Sequence, residues 1–165
     1  MKKNNKAIYL IFILGLVYGC VGYEPIFNTS SLNFKIEEYK IEGDKMTANK
    51  IYASLKRSEN YELTENQPLA INFSINTSKT KVETIKDKTG KIKEYKIILK
   101  AKVEATEYLS ENILLSEIFE ASSSYKVQDN YSETVLSENK SIEDLTEAIF
   151  QKIFSKLSVK ISSRW

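Results

Sequence analysis

The chain has 165 residues, 42% of them hydrophobic and 28% charged, enough for one compact core and far from the composition of a disordered segment. It contains no histidine and one cysteine, which excludes His-dependent nucleophile pairs, His metal sites and any intrachain disulfide. The formal net charge of +2 includes Lys2, Lys3 and Lys6, which fall in a segment read below as removed, and the near-neutral remainder lacks the basic footprint of a nucleic-acid-binding protein.

The chain opens with the basic stretch Met1 to Lys6, followed by the uncharged apolar run Ala7 to Tyr18. These are the two leading regions of a secretory signal, and the run is shorter than the ~20 residues a spanning helix needs. It ends in Val17-Tyr18-Gly19-Cys20, which resembles the lipobox of bacterial lipoproteins, with Tyr18 at a position that is usually small. The resemblance implies acylation of the Cys20 sulfur and cleavage after Gly19. Val21 in place of aspartate implies delivery to the outer membrane, with the chain lipid-anchored on the periplasmic face. Residues 1–19 are thus expected to form the signal peptide and residues 20–31 a lipidated tether, rich in Gly, Pro and small polar residues.

From residue 32 the pattern changes to one α+β domain, expected over residues 32–161 with a tail at 162–165. Phe34 and Ile36, then Tyr39 and Ile41, alternate in two pairs out of phase by one residue, as in a strand with a bulge. Gly43 breaks it, and Asp44 is placed to cap a helix with Met46, Ile51 and Leu55 on its apolar side and Ala48 and Tyr52 flanking, ending near Arg57 to Glu59. After a polar loop around Asn60 to Pro68, Leu69, Ile71, Phe73 and Ile75 alternate strictly with polar or small residues. The turn Asp87-Lys88-Thr89-Gly90 then returns the chain through Tyr95, Ile97, Leu99, Ala101 and Val103, giving a long antiparallel hairpin. A fourth strand is expected from about Ile113 to Val127, with Ile113, Leu115 and Ile118 carrying its apolar load. Ile142, Leu145, Ile149, Ile153, Leu157 and Ile161, widened by Phe150 and Phe154, recur at helical spacing. That helix is capped either at Ser141, with Asp144 three residues on, or begins near Ser132. The order β-α-β-β-β-α predicts a two-layer sandwich: a mainly antiparallel four-stranded sheet with both helices on one face.

Gly19-Cys20-Val21-Gly22-Tyr23-Glu24-Pro25-Ile26-Phe27, the hairpin around Asp87 to Tyr95, Asp129-Asn130 and the closing helix Ile142 to Leu157 together resemble the LPS-assembly lipoprotein family, LptE. The likeness runs through nearly the whole chain and rests on the order of elements. It implies a lipoprotein that occupies the lumen of the outer-membrane LPS-transport barrel, helps that barrel assemble and contacts lipopolysaccharide, with Lys79, Lys81 and Lys140 at the ligand. The residues themselves leave another reading open, a solvated hairpin face on which Lys79, Lys81, Lys86, Lys88, Lys91 and Lys93 alternate with Glu83, Asp87 and Glu94. An accessory lipoprotein of an ABC-type lipid transporter is the alternative function. No cofactor, metal or catalytic residue is expected, since the adjacent pairs Glu37-Glu38 and Glu143-Asp144 point to different sides of their elements. Tyr95, Tyr108, Tyr125 and Tyr131 are candidates for an interface or for ordinary packing.

Overall fold

The computed structural model describes residues 33–59 and 68–163. The expected leader, Cys20 and its tether, most of the polar loop after the first helix and the last two residues lie outside the described residues. The elements are β1 (Phe34–Gly43), α1 (Lys45–Arg57), β2 (Leu69–Lys86), β3 (Ile92–Glu107), β4 (Ile113–Lys126) and α2 (Tyr131–Ser162). The strands form one sheet in the order β1-β2-β3-β4, with both helices packed on a single face. This is the α+β arrangement the pattern predicts, and β1 pairs parallel to β2 because α1 carries the chain back across the sheet.

Alternation decides which face of each strand is buried. Ile71, Phe73 and Ile75 of β2 and Ile97, Leu99, Ala101, Val103 and Ala105 of β3 all sink into the helix-covered face. In β1 the register slips between Ile36 and Glu38, so a bulge lets Phe34 and Ile36 enter the core and turns Tyr39 and Ile41 to the same side. Tyr39 stays half exposed but stacks on Tyr52 of α1, ring centroids 4.0 Å apart. Along α2, Ile142, Leu145, Ile149, Ile153, Leu157 and Ile161 form the buried stripe that their spacing predicts, and Phe150 and Phe154 lie beside it.

Three sequence expectations are corrected. Met46 is exposed, and Thr47 and Ala48 join Ile51 and Leu55 on the inner side of α1. At ~100° per residue, Met46 lies ~140° round the helix from Ile51 and cannot share its stripe. In β4 a second slip, opposite Ala105 and Thr106, makes Leu114 an extra residue; Leu114, Leu115, Phe119 and Tyr125 are buried, while Ile113 and Ile118 face solvent. Finally, Ser141 caps nothing. The helix starts at Tyr131, where the Asn130 side chain accepts the Ser132 amide, and Ser141 is a buried interior residue.

The junction of β1, α1 and β2 is closed by backbone contact. The Asp44 amide donates to the Thr77 carbonyl at 2.9 Å, and Thr77 Oγ1 donates back to the Asp44 carbonyl at 2.8 Å. Gly43 makes this possible: at φ +77° a Cβ would stand 1.9 Å from the Thr77 oxygen. Gly90, in the β2–β3 turn, also has positive φ but opens to empty space. Gly43→Ala is therefore expected to cost about 2 kcal/mol or more and Gly90→Ala about 1 kcal/mol. Urea unfolding of both variants checks this, and equal midpoints would refute the closed junction.

Candidate functional site

Past Thr77 the helix-facing side of β2 turns from apolar to charged. Ile71, Phe73, Ile75 and Thr77 are succeeded by Lys79, Lys81 and Glu83, because β1 ends opposite Thr77 while β2, β3 and β4 continue as a three-stranded ribbon, β4 as far as Lys126 opposite Glu94 and β2–β3 to the pair Lys86–Ile92. Lys79 and Lys81, two residues apart, share this face. Lys79 Nζ lies 3.0 Å from Asp44 Oδ2, and that same carboxylate caps α1 through the Thr47 amide. Burial pushes the Asp44 carboxyl up, but the hydrogen bonds from Lys79 and Thr47 outweigh it and hold it below its ordinary range.

Lys81 has the larger set of partners, although its side chain is more exposed, 39% against 29% for Lys79. Its Nζ donates to Glu138 Oε2 of α2 at 2.6 Å and lies over the Tyr95 ring, 4.3 Å from the centroid, with the Tyr125 ring at 5.3 Å. Tyr125 Oη donates to the same Glu138 oxygen at 2.7 Å. Tyr95 and Tyr125 are direct cross-strand partners and their rings stack at 5.8 Å. One cation is thus held by a carboxylate and two aromatic faces, tying the ribbon to the first turns of α2. Burial pushes Glu138 up, yet the Lys81 and Tyr125 hydrogen bonds bring it below the ordinary carboxylate range. Burial likewise pulls Lys81 down, and Glu138 more than restores it.

Lys140 stands apart from both. It projects from α2 with its side chain 79% exposed and only a 4.0 Å approach to Asp144. The structure therefore brings Lys79 and Lys81 together in internal ion pairs and leaves Lys140 in solvent. Other charged groups have equally local partners. Lys86 pairs with Glu83 at 2.7 Å, Glu37 is held by Lys35 at 2.6 Å, and among the described residues no group of three or more metal-type ligands gathers. Tyr108 and Tyr131 are exposed, whereas Tyr95 and Tyr125 serve the Lys81 cluster.

Sequence reasoning did not find Glu138. Its partner relation to Lys81 spans 57 positions and depends on where α2 lies over the sheet. The Lys81–Tyr95 contact had a usable signal: the Asp87–Gly90 turn sets the hairpin register, placing Lys81 opposite Ile97 and diagonal to Tyr95. A groove of about 630 Å³ along the β4 edge was also not anticipated. Phe119 and Val159 give it an apolar floor; Lys152 Nζ donates to the Glu120 carbonyl at 2.6 Å, and Lys156 reaches Glu117 at 3.4 Å. It has the lining an amphiphile requires, hydrocarbon inside and ammonium groups at the rim.

No protein-family model and no curated protein matches the chain. Among solved structures, it is similar to a candidate lipoprotein of Caulobacter crescentus with a TM-score of 0.56 at 10% identity, over 79% of this chain and 92% of that one. It is also similar to lipoprotein B of Nitrosomonas europaea, with a TM-score of 0.54 at 14% identity, over 87% of this chain and 93% of that one. At such identities the likeness establishes a shared fold.

The Lys81 cluster carries a signed pH dependence. With the Glu138 pKa lowered in the folded state, its contribution is present above the ordinary carboxylate range and is lost as pH falls through the lowered value. The Lys81 contribution, with its pKa raised, is present below the ordinary lysine range and is lost as pH rises through the raised value. Lys81→Met is expected to cost about 1 kcal/mol at neutral pH, after allowance for partial exposure. The gap between parent and Glu138→Gln should narrow below about pH 4. Urea unfolding across pH measures both, and a gap that widens on acidification would reverse the assignment.

Proposed function

We propose that this chain is an outer-membrane lipoprotein, anchored through acylated Cys20, whose domain plugs and helps assemble the LPS-transport barrel and assists lipopolysaccharide insertion. One observation carries the reading: the chain's only cysteine ends a lipobox-like run and precedes a domain whose fold is shared with two proteins described as lipoproteins. The role is non-enzymatic. A scaffold inside a barrel needs a rigid projection, and the part of the sheet beyond Gly43, where β2, β3 and β4 run on past β1, has that form. On β2 its outward residues Ser78 and Thr80 are uncharged and polar and Val82 is an exposed apolar one, a mixed surface to set against a barrel wall.

Within this reading, lipopolysaccharide phosphates meet lysine donors. Lys140 is available without breaking a close pair, whereas Lys79 and Lys81 must exchange Asp44 and Glu138 for the ligand. The Phe119–Val159 groove is suited to part of an acyl chain. The ribbon's extension past β1 favours the barrel plug over an accessory role in an ABC-type transporter.

The experiment is mass spectrometry of native protein together with affinity recovery from solubilised membranes, for parent and Cys20→Ala. The parent should carry acyl chains on Cys20 and recover an outer-membrane β-barrel; Cys20→Ala should leave the membrane fraction and still bind the barrel once mixed. An unmodified thiol with an intact leader, or recovery of inner-membrane transporter subunits alone, would overturn the proposal. Lys140→Glu should weaken lipopolysaccharide retention about threefold to tenfold without altering the fold, as expected for one exposed charge-assisted contact.

A further inference from the structure

The turn between β3 and β4 presents an exposed apolar apex. Leu109 is 88% exposed, the highest among the exposed large hydrophobics of the described residues, with Tyr108 and Ile113 exposed beside it. The backbone beneath is held firmly. The Glu107 amide donates to the Asn112 carbonyl, the Glu111 amide to the Glu107 carbonyl and the Tyr108 amide to the Ala70 carbonyl, each at 2.9 Å. Glu111 sits at φ +55°, a left-handed conformation that a residue with a side chain keeps only where its surroundings enforce it. A leucine fixed at the tip of such a turn adds nothing to the core and suits insertion elsewhere.

The chain enters the domain at this same end. The Leu69 amide donates to the Asn33 carbonyl, Phe34 pairs with Leu69, and the next residue, Ala70, accepts from Tyr108, so only β2 separates the incoming chain from the turn. Whatever its conformation, the chain from Cys20 to Asn33 spans at most ~45 Å. The opposite end of the ribbon lies ~50 Å further along β2, and its turn consists of Asp87, Lys88, Thr89, Gly90 and Lys91. The turn nearest the acyl anchor is therefore the one with an exposed apolar tip, and the far turn is polar, Val82 and Ile85 being exposed on the strand before it and not at its tip. Glu107 and Glu111 flank the apex, so its complement is a surface of outward ammonium groups without net negative charge, as in a zwitterionic bilayer.

We infer that the Tyr108-Leu109 turn, with Ile113, is a second membrane contact that seats in the headgroup region of a zwitterionic bilayer and orients the domain with its β2–β3 turn pointing away. The inference rests on anchoring through Cys20. The acyl chains hold the protein at the membrane; this turn sets which way it stands.

The test uses the acylated full chain in phosphatidylethanolamine–phosphatidylcholine vesicles. Because acylation occupies Cys20, Leu109→Cys supplies a single labelling site for an environment-sensitive fluorophore, and Lys88→Cys is the control at the far turn. After flotation, the label at 109 should be blue-shifted and quenched by nitroxide-bearing lipid about threefold more strongly than the label at 88, as insertion to ~5–10 Å depth requires. Floated protein with both labels equally in water overturns the membrane contact alone. A label at 109 that is shielded but not quenched points to a second copy of the chain and also overturns it. Protein that fails to float overturns the anchoring and this contact together.

Discussion

Everything in this domain is organised by the pairing of β2 with β3. That ladder runs from Ile71 opposite Glu107 to Lys86 opposite Ile92, with register shifts at Ile85, and β4 accompanies it as far as Lys126 opposite Glu94. β1 matches it only as far as Thr77, where Gly43 and Asp44 turn the chain into α1. Beyond that point β2 is an edge strand with no neighbour on its β1 side, and side chains on its inner face suit partial exposure to water. The shift from Ile75 to Lys79 and Lys81 on the inner face is the chemical answer to that mismatch in length.

The same mismatch explains why charged groups on the hairpin have partners at all. The edge of β2 that β1 leaves uncovered has no strand beside it, so its side chains need other partners. Here the Lys79–Asp44 pair binds it to the start of α1 and the Lys81–Glu138 pair binds it to the start of α2. Neither pair is deeply buried, so neither contributes much alone; the stacked tyrosines and the shared Glu138 oxygen make the second a small network. The lysines for which a ligand role was expected thus have a structural role of their own, and an anion drawn to them competes with two carboxylates. Lys140 has no such rival at close range.

Polarity is distributed along the molecule as well as across it. The core lies where β1, α1 and α2 overlap the four strands, the β2–β3 turn is polar although Val82 and Ile85 are exposed on β2 before it, and the end at which the chain enters carries Leu109 and Ile113. The exposed edge of β4 is partly closed by the Lys152 ammonium on the Glu120 carbonyl, a device that discourages pairing with another strand. A protein held near a lipid surface benefits from such asymmetry, since each end meets a different medium.

Period-two alternation made β2 and β3 legible residue by residue, and the i, i+3, i+4 stripe of α2 did the same for its buried face, because these patterns are local consequences of strand and helix geometry. The bulge in β1 was legible too, as a one-residue change of phase between Ile36 and Tyr39. The cysteine, its apolar run and the order of elements were likewise properties of the sequence by itself. What only the tertiary structure decided was every relation between distant segments: that Glu138 meets Lys81, that Leu114 is the extra residue which turns Ile118 outward and Phe119 inward, that the helix begins at Tyr131 and buries Ser141, and that the Leu109 turn shares an end with the entering chain. Local periodicity constrains the direction in which a side chain leaves its own element. It holds no information on which element will stand opposite, because that follows from the joint packing of two layers.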